Sequence, residues 1–260
     1  YSVQPCGRAM RETLDEILRK IALQAKSITI TSRDKKAHQD YVTNVDHTVD
    51  QLLTAALSQF TPDTPVFSEE RDMGSELPDR YWMIDPIDGT ANLLAGIPFV
   101  GIAAALVHDS QVKLAGVASL FDGTVYSAEK GKGAYHDAKR VSPPSTPVEL
   151  IGVSSGVLAS SAAHPALVAQ LRRFGKIRNL GSQALQLCAV ASGQLGANIS
   201  AEAKLWDDQA GALIAQEAGA IYAARPQGNK ADDEQRSLCC HPSFADALTD
   251  IADTIWPKFD

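Results

Sequence analysis

Two carboxylates three residues apart, with a proline between them and a Gly-Thr pair behind, single out the stretch Trp82-Met-Ile-Asp85-Pro-Ile-Asp88-Gly-Thr90-Ala-Asn92. An apolar strand is expected to end at Ile84, so Asp85 and Asp88 would sit at its mouth. Pro86 stiffens the step between them, and Gly89 permits a tight turn and close backbone approach by a ligand. A helical turn over Thr90 to Leu94 would leave its first N–H groups free for a phosphate. Carboxylates beside such an anion site repel the phosphate unless hard cations lie between, which argues for Mg²⁺ held by a few carboxylates plus substrate oxygens. The competing reading is an Asx-turn or helix cap, with both acids merely bonding backbone N–H groups.

Further acids fall at element ends. Ser68-Glu69-Glu70 follows the strand Val66-Phe67, Asp46 closes the extended segment Tyr41 to Val45, and Trp206-Asp207-Asp208 opens a helix. Singly, each has a structural explanation, as a solvated strand end (Glu69, Glu70) or a helix N-cap (Asp46, Asp207). Together with the Asp85–Asp88 pair they make four acidic sites at the ends of rigid elements, where active sites are commonly built.

The elements that must position them follow from periodicity. Leu14, Ile17, Leu18, Ile21, Ala22 and Ala25 form one face of a helix near Arg8 to Ser27, and Val49, Leu52, Leu53, Ala56, Leu57 and Phe60 form another. The second is expected to begin just after Asp46 and to stop at Thr61-Pro62. The polar stretch Thr31 to Gln39 between the helices reads as a mobile loop. Strands are expected at Tyr81–Ile84, Val100–His108, Val112–Leu120 and Thr124–Ala128, with hairpin turns at Asp109-Ser110 and Asp122-Gly123 and a further turn at Gly131-Lys-Gly133. Pro143-Pro144 and Pro147 form a breaker-rich joint. Beyond it strands (Ile151–Val153, Ile177-Arg178, Ala197–Ser200, Ile221–Ala223, Leu238–Cys240) alternate with helices (Pro165–Phe174, Ser182–Ser192, Asp208–Ala218, Phe244–Ile255). The fold class is α/β, with lobes at 1–145 and 146–260; the first carries most of the acids and the second completes the site.

Composition narrows the function. The chain has 260 residues, 45% of them hydrophobic, and 24 Lys plus Arg against 31 Asp plus Glu, a net charge of −7. That balance argues against nucleic acid or an anionic membrane surface as partner. The longest apolar run, Ile97 to Val107, is shorter than the roughly 18 residues of a membrane span. Cys6, Cys188, Cys239 and Cys240 show no disulfide framework, so a reducing, cytoplasmic location is expected. A signal peptide removed before Tyr1 stays open.

The ordered segments Tyr41-Val-Thr-Asn-Val-Asp46, Phe67-Ser-Glu69-Glu70, Trp82-Met-Ile-Asp85-Pro-Ile-Asp88-Gly-Thr90 and Leu205-Trp206-Asp207 resemble the signatures of the inositol monophosphatase family. So do Gly181-Ser-Gln-Ala-Leu185 to Ala191-Ser-Gly193, and Ala210 to Gly219. The resemblance, from about residue 10 to at least 220, implies a layered αβαβα sandwich of the sugar-phosphatase type. It also implies lithium-sensitive phosphomonoester hydrolysis with two or three Mg²⁺ ions and a homodimer. Glu69, Asp85 and the carbonyl of Ile87 would hold one ion, and Asp85, Asp88 and Asp207 another. Glu69 would help hold a third ion through water, and Glu70 would support. Thr90, bonded to Asp46, would orient and help deprotonate the attacking water. Backbone N–H groups at Gly89, Thr90 and Ala91 would cradle the phosphate beside Asp88, with Gly181, Gln183 and Ser200 as further substrate contacts.

Departures from the family concern polyol recognition. Ser200 stands where a polyol-contacting glutamate is usual, Gln183 where a small residue is, and Gly196 where an aspartate is; Ala91 and Leu93 replace Thr and Phe. Inositol phosphate therefore need not be the preferred substrate, and the resemblance implies the broader class of small phosphate monoesters. It includes inositol and other polyol phosphates, sugar phosphates, histidinol phosphate and 3′(2′),5′-bisphosphate nucleotides. Other chemistries find less in the sequence. The spacing of Asp85 and Asp88 differs from that of an aspartyl-phosphate phosphatase. The histidines (38, 47, 108, 136, 164 and 241) form no zinc pattern, the serines no nucleophile elbow and the glycines no dinucleotide fingerprint. A regulatory protein that keeps the fold without turnover is the alternative from another class.

Overall fold

A computed structural model describes residues 9–37, 40–71, 77–226 and 232–255; Cys6, His38 and Gln39 lie outside these. The chain opens with α1 (Met10–Ala25), a hairpin of β1 (Arg33–Ala37) and β2 (Asp40–Thr43), and α2 (Asn44–Phe60). It continues through β3 (Val66–Ser68), β4 (Arg80–Asp88), α3 (Thr90–Ala95), β5 (Gly101–His108), β6 (Gln111–Ser119), β7 (Val125–Glu129), β8 (Ala134–His136) and β9 (Lys139–Val141). These strands form a seven-stranded sheet in sequence order, antiparallel except where β3 runs parallel to β4. Asp109 and Ser110 both have φ above +50°, as a two-residue hairpin turn requires.

The second sheet begins after the proline-rich joint. It contains β10 (Leu150–Val153), β11 (Lys176–Arg178), β12 (Ala197–Ala203), β13 (Ile221–Pro226) and β14 (Gln235–Cys240), in the order β11-β10-β12-β14-β13. Its helices are α4 (Ser155–Ser160), α5 (Leu167–Leu171), α6 (Gln183–Ala191), α7 (Leu205–Ala218) and α8 (Ala245–Ile255).

Five layers result. On one face of the large sheet, Leu14 and Leu18 of α1 and Val49 and Leu53 of α2 pack against Trp82, Ile84, Ile102 and Ala104. The opposite face presents Ala103, Ala105 and Val117 to Leu185 and Cys188 of α6 and Leu213 and Ile214 of α7. Those two helices also rest on the small sheet through Cys239 and Ala220. Beyond it, Val157, Leu167, Leu171 and Leu248 cover Ile151, Val153, Ile199 and Leu238. The αβαβα sandwich explains why β5 reads as an unbroken apolar run, since alternate residues are buried on both sides. It also explains the small residues of α7, buried nearly all round; a Cβ on Gly211 would lie 2.6 Å from the Leu187 side chain.

Four local expectations differ. The stretch read as a mobile loop is largely strand β1, paired antiparallel with β2; Thr31 to Lys35 are exposed, so no apolar periodicity announces it. Helix α2 starts before Asp46 rather than after it, because Thr43 is the N-cap and Asp46 completes a capping box three residues on. Ser155–Ser160 forms α4, capped by Ser154, and α5 is shorter than the Pro165–Phe174 span. Strand β4 does not end at Ile84 but runs through Asp88.

Truncating Leu18, which is fully buried between α1 and the sheet, should cost about 2–5 kcal/mol. Urea unfolding of Leu18→Ala should therefore show a lower midpoint at an unchanged slope.

Candidate active site

In a regular strand, residues three apart point to opposite faces, so Asp85 and Asp88 should diverge. They do not, because β4 carries a bulge: Asp85 pairs with Ala103 and Asp88 with Gly101, three steps on one strand against two on its neighbour. Pro86, which has no N–H to donate to the ladder, lies within this irregularity. Ile87 N–H donates to Asp85 Oδ1 at 3.0 Å, closing an Asx-type turn. Gly89 then adopts φ +103°, and a Cβ there would lie 2.9 Å from the Gly181 carbonyl. That left-handed residue reverses the chain into α3.

Asp207 arrives from the opposite side, three residues after Lys204, whose N–H donates to its Oδ2 at 2.7 Å. Ligand oxygens of Asp85, Asp88 and Asp207 all lie within 4.8 Å of one another. Asp85 and Asp88 are only 1% and 7% exposed. A cavity of about 210 Å³ opens onto them, lined also by Tyr41, Glu69, Ile87, Gly89, Thr90 and Ala91.

Electrostatics make this cluster unfavourable by itself. Burial, then the charges of Glu69, Asp88 and Asp207, push the Asp85 carboxyl well above its ordinary value. Burial, then Asp88 and Glu69, do the same to Asp207, with the Lys204 N–H opposing. Burial also raises Asp88, but hydrogen bonds from Ser182, Ala184 and Gln183 offset much of it, leaving the group at about 6. Those bonds are Ser182 Oγ to Oδ2 at 2.6 Å, Ala184 N–H to Oδ2 at 2.7 Å and Gln183 N–H to Oδ1 at 3.1 Å. Asp88 therefore caps α6, and a carboxylate's roughly four acceptor sites leave room for a cation besides. Closely spaced oxygen donors with no thiol or imidazole among them fit a hard divalent ion such as Mg²⁺, Mn²⁺ or Ca²⁺.

A hydroxyl–carboxylate pair stands beside the cluster. Thr90 Oγ1 donates to Asp46 Oδ1 at 3.0 Å and lies 3.2 Å from the Ile87 carbonyl. Asp46 Oδ2 is held by the Thr43 N–H at 2.9 Å and hydroxyl at 2.5 Å. Asp46 thus serves as a helix-capping residue and orients Thr90 with its second oxygen.

Three expected substrate contacts are placed differently. The Gln183 side chain turns into the interior: Nε2 donates to Asp208 Oδ1 at 2.7 Å, and Oε1 accepts from Asn198 at 2.9 Å. It reaches the site only through its backbone bond to Asp88, because the fully buried Asp208 needs its amide as a donor. Ser200 is buried in β12 and Gly181 packs against the Asn92 side chain; neither lines the cavity. Conversely, Tyr41 and Ser182 were not singled out as site residues. Ser182 carried a signal, as a serine just before an apolar helix. For Tyr41 the signal was cross-strand pairing, which a loop reading of Thr31 to Gln39 conceals.

Five layers, with buried Asp85 and Asp88 at the end of β4 and half-buried Asp207 at the start of α7, make a sandwich of the sugar-phosphatase type. The model of the inositol monophosphatase family matches residues 5–256, and the chain belongs to that family. An inositol-1-monophosphatase of Mycobacterium leprae is 34% identical over 230 residues, covering 83% of this chain and 79% of the relative. The solved Thermotoga maritima IMPase superposes with a TM-score of 0.78 at 25% identity, covering 94% of this chain and 98% of that one. An IMPase/NADP phosphatase solved with Mg²⁺ and phosphate gives 0.73 at 25% identity, covering 92% and 90%. Family and fold support a phosphatase, and the aspartate cluster fits a divalent metal.

The raised carboxyls have a sign for stability. In metal-free protein the folded state retains protons that the unfolded state releases near pH 4. This contribution is full below that pH and is lost as pH rises through about 6 for Asp88. Calorimetry in chelator should show melting temperature falling between about pH 5 and 8, more steeply than in Asp88→Asn. Mg²⁺ should restore more stability at the upper end of that range than at the lower.

Proposed function

We propose that the chain is a divalent-metal-dependent phosphomonoesterase, Mg²⁺ being the expected ion, that hydrolyses a small phosphorylated metabolite by direct attack of water. The observation that carries this reading is the convergence of Asp85, Asp88 and Asp207 on a cavity also lined by Thr90, with Asp46 bonded behind it. Cations bound there would supply the positive charge that offsets the phosphate and acidifies water. Glu69, Asp85, Asp88, Asp207 and the Ile87 carbonyl are the residues that would hold them.

The protein's own part is positioning and proton transfer. Thr90 Oγ1, already donating to Asp46, has a lone pair for an O–H of the attacking water. As the water oxygen bonds to phosphorus, its proton passes to Thr90, and the Thr90 proton passes to Asp46. The bond from phosphorus to the leaving alkoxide breaks in the same displacement. N–H groups at Gly89, Thr90 and Ala91, in the first turn of α3, orient the phosphate oxygens. No side-chain nucleophile and no covalent intermediate are required.

Ser200, at the position where the resemblance places a polyol-contacting glutamate, lies outside the cavity. Sugar phosphates, histidinol phosphate and bisphosphate nucleotides therefore stand beside inositol phosphate in the substrate class. The relative solved with Mg²⁺ and phosphate supports the choice of ion. A homodimer is proposed on the family resemblance, and a cytoplasmic location on the sparse cysteines.

Phosphate release should require Mg²⁺ and stop in chelator. Thr90→Ala should lower kcat by about 10²–10⁴-fold with little change in the Mg²⁺ concentration giving half-maximal rate. Asp207→Asn should instead raise that concentration. Steady-state kinetics over a Mg²⁺ series separates the two; an unaltered kcat in Thr90→Ala contradicts the assigned proton path.

A further inference from the structure

Capping Asp88 asks for no long side chain at the start of α6. The bonds to that carboxylate come from the N–H groups of Gln183 and Ala184 and from the Ser182 hydroxyl. An alanine at 183 would supply the same N–H. Gln183 nevertheless extends its side chain between α6, α7 and the small sheet. Nε2 donates to Asp208 Oδ1 at 2.7 Å and to Ser237 Oγ at 3.3 Å, and Oε1 accepts from Asn198 Nδ2 at 2.9 Å. Both ends of the amide are thereby fixed.

The far end of this bridge is itself anchored. Asp208 and Asn198 are fully buried. The second oxygen of Asp208 accepts from Gln235 Nε2 at 2.6 Å and from the Tyr222 hydroxyl at 3.0 Å, so β13 and β14 hold it as well. Gly152, the cross-strand partner of Asn198, leaves room for the Asn198 side chain; a Cβ there would lie 2.6 Å from its Oδ1. Burying polar side chains in place of apolar ones adds little net stability. What such a cluster adds is a defined geometry.

That geometry bears on the acids. A path of hydrogen bonds runs from Asp88 through Gln183 to Asp208, one residue from Asp207. Asp88 and Asp207 have ligand oxygens within 4.8 Å of each other, and their repulsion pushes the starts of α6 and α7 apart. We propose that Gln183 is a positioning residue for the metal cluster: its side chain ties the two helix starts together and so sets the spacing at which Asp88 and Asp207 share a divalent ion. This rests on the reading of the cluster as a cation site and adds to it a residue that governs its affinity without touching the ion.

The test titrates Mn²⁺ calorimetrically into metal-free wild type, Gln183→Ala, Gln183→Met and Leu18→Ala, with each melting temperature measured in chelator. Gln183→Ala should raise the Mn²⁺ Kd about 10–100-fold, the scale on which removing a partner of a metal ligand acts. Gln183→Met fills similar space without an amide and should do the same. Leu18→Ala destabilises the core between α1 and the large sheet, away from α6 and α7, and should leave Kd unchanged. In phosphate release, the Gln183 variants should need correspondingly more Mg²⁺ for half-maximal rate and approach the wild-type kcat at saturation. Should neither fold, Asn198→Ala takes their place: it frees the carbonyl end of the amide, and Kd should rise by a smaller factor. A Gln183 variant that melts lower yet keeps the wild-type Kd shows that the amide only packs, and overturns the proposal. An unchanged Kd in Asn198→Ala, where that variant stands in, or an equal rise in Leu18→Ala, overturns it too. Those results leave the cation site in place, whereas wild-type protein that binds no Mn²⁺ removes the site and the bridge's role together.

Discussion

Three aspartates within reach of one another, Asp85 and Asp88 buried and Asp207 half-buried, are the constraint around which the rest is arranged. Like charges so placed repel strongly wherever water is excluded, and among the described residues no lysine or arginine lines the cavity. Such an arrangement is costly in an empty fold and becomes favourable once a divalent ion sits among the oxygens. The same repulsion that raises the carboxyls is thus what makes the cluster a cation site.

The framework keeps these groups from relaxing apart. A bulge in β4 turns Asp85 and Asp88 to one side, and Asp88 is fastened to the start of α6 by three hydrogen bonds. Helices α6 and α7 form the layer shared by both sheets, so the cap on α6 and the start of α7 at Asp207 are fixed by the largest core of the molecule. Behind them, Asp208 faces inward and is held by Gln183, Gln235 and Tyr222. Neighbouring acids on one helix therefore have opposite surroundings: Asp207 meets other carboxylates, and Asp208 meets neutral donors.

Much of this was legible in the chain. The apolar periodicities of α1, α2 and β5 announced buried layers, and the acids at element ends announced the site. What was not legible depended on partners distant in sequence. The bulge shows only in pairing with β5, and the loss of Gln183 to the interior shows only once Asp208 and Asn198 lie beside it. Strand β1 was hidden because an exposed, charged strand lacks the alternation that betrays a half-buried one, whereas its partner β2 falls largely in the segment Tyr41 to Val45 read as extended. Asp46 and Asp88 each cap a helix and also reach the candidate site, Asp46 through Thr90 and Asp88 directly, two placements that local reasoning set against each other. A carboxylate has enough acceptor sites to do both.

The central claim is that these carboxylates exist to take up a divalent ion, and proton-linked metal binding tests it most directly. Mn²⁺ should be titrated calorimetrically into metal-free protein near pH 6, where Asp88 is about half protonated, in buffers of different ionisation enthalpy. The account predicts saturable binding with a heat that varies with the buffer, because the ion displaces protons, and loss of that linkage in Asp85→Asn. Absence of binding, or binding that releases no protons and is unchanged in Asp85→Asn, would contradict it.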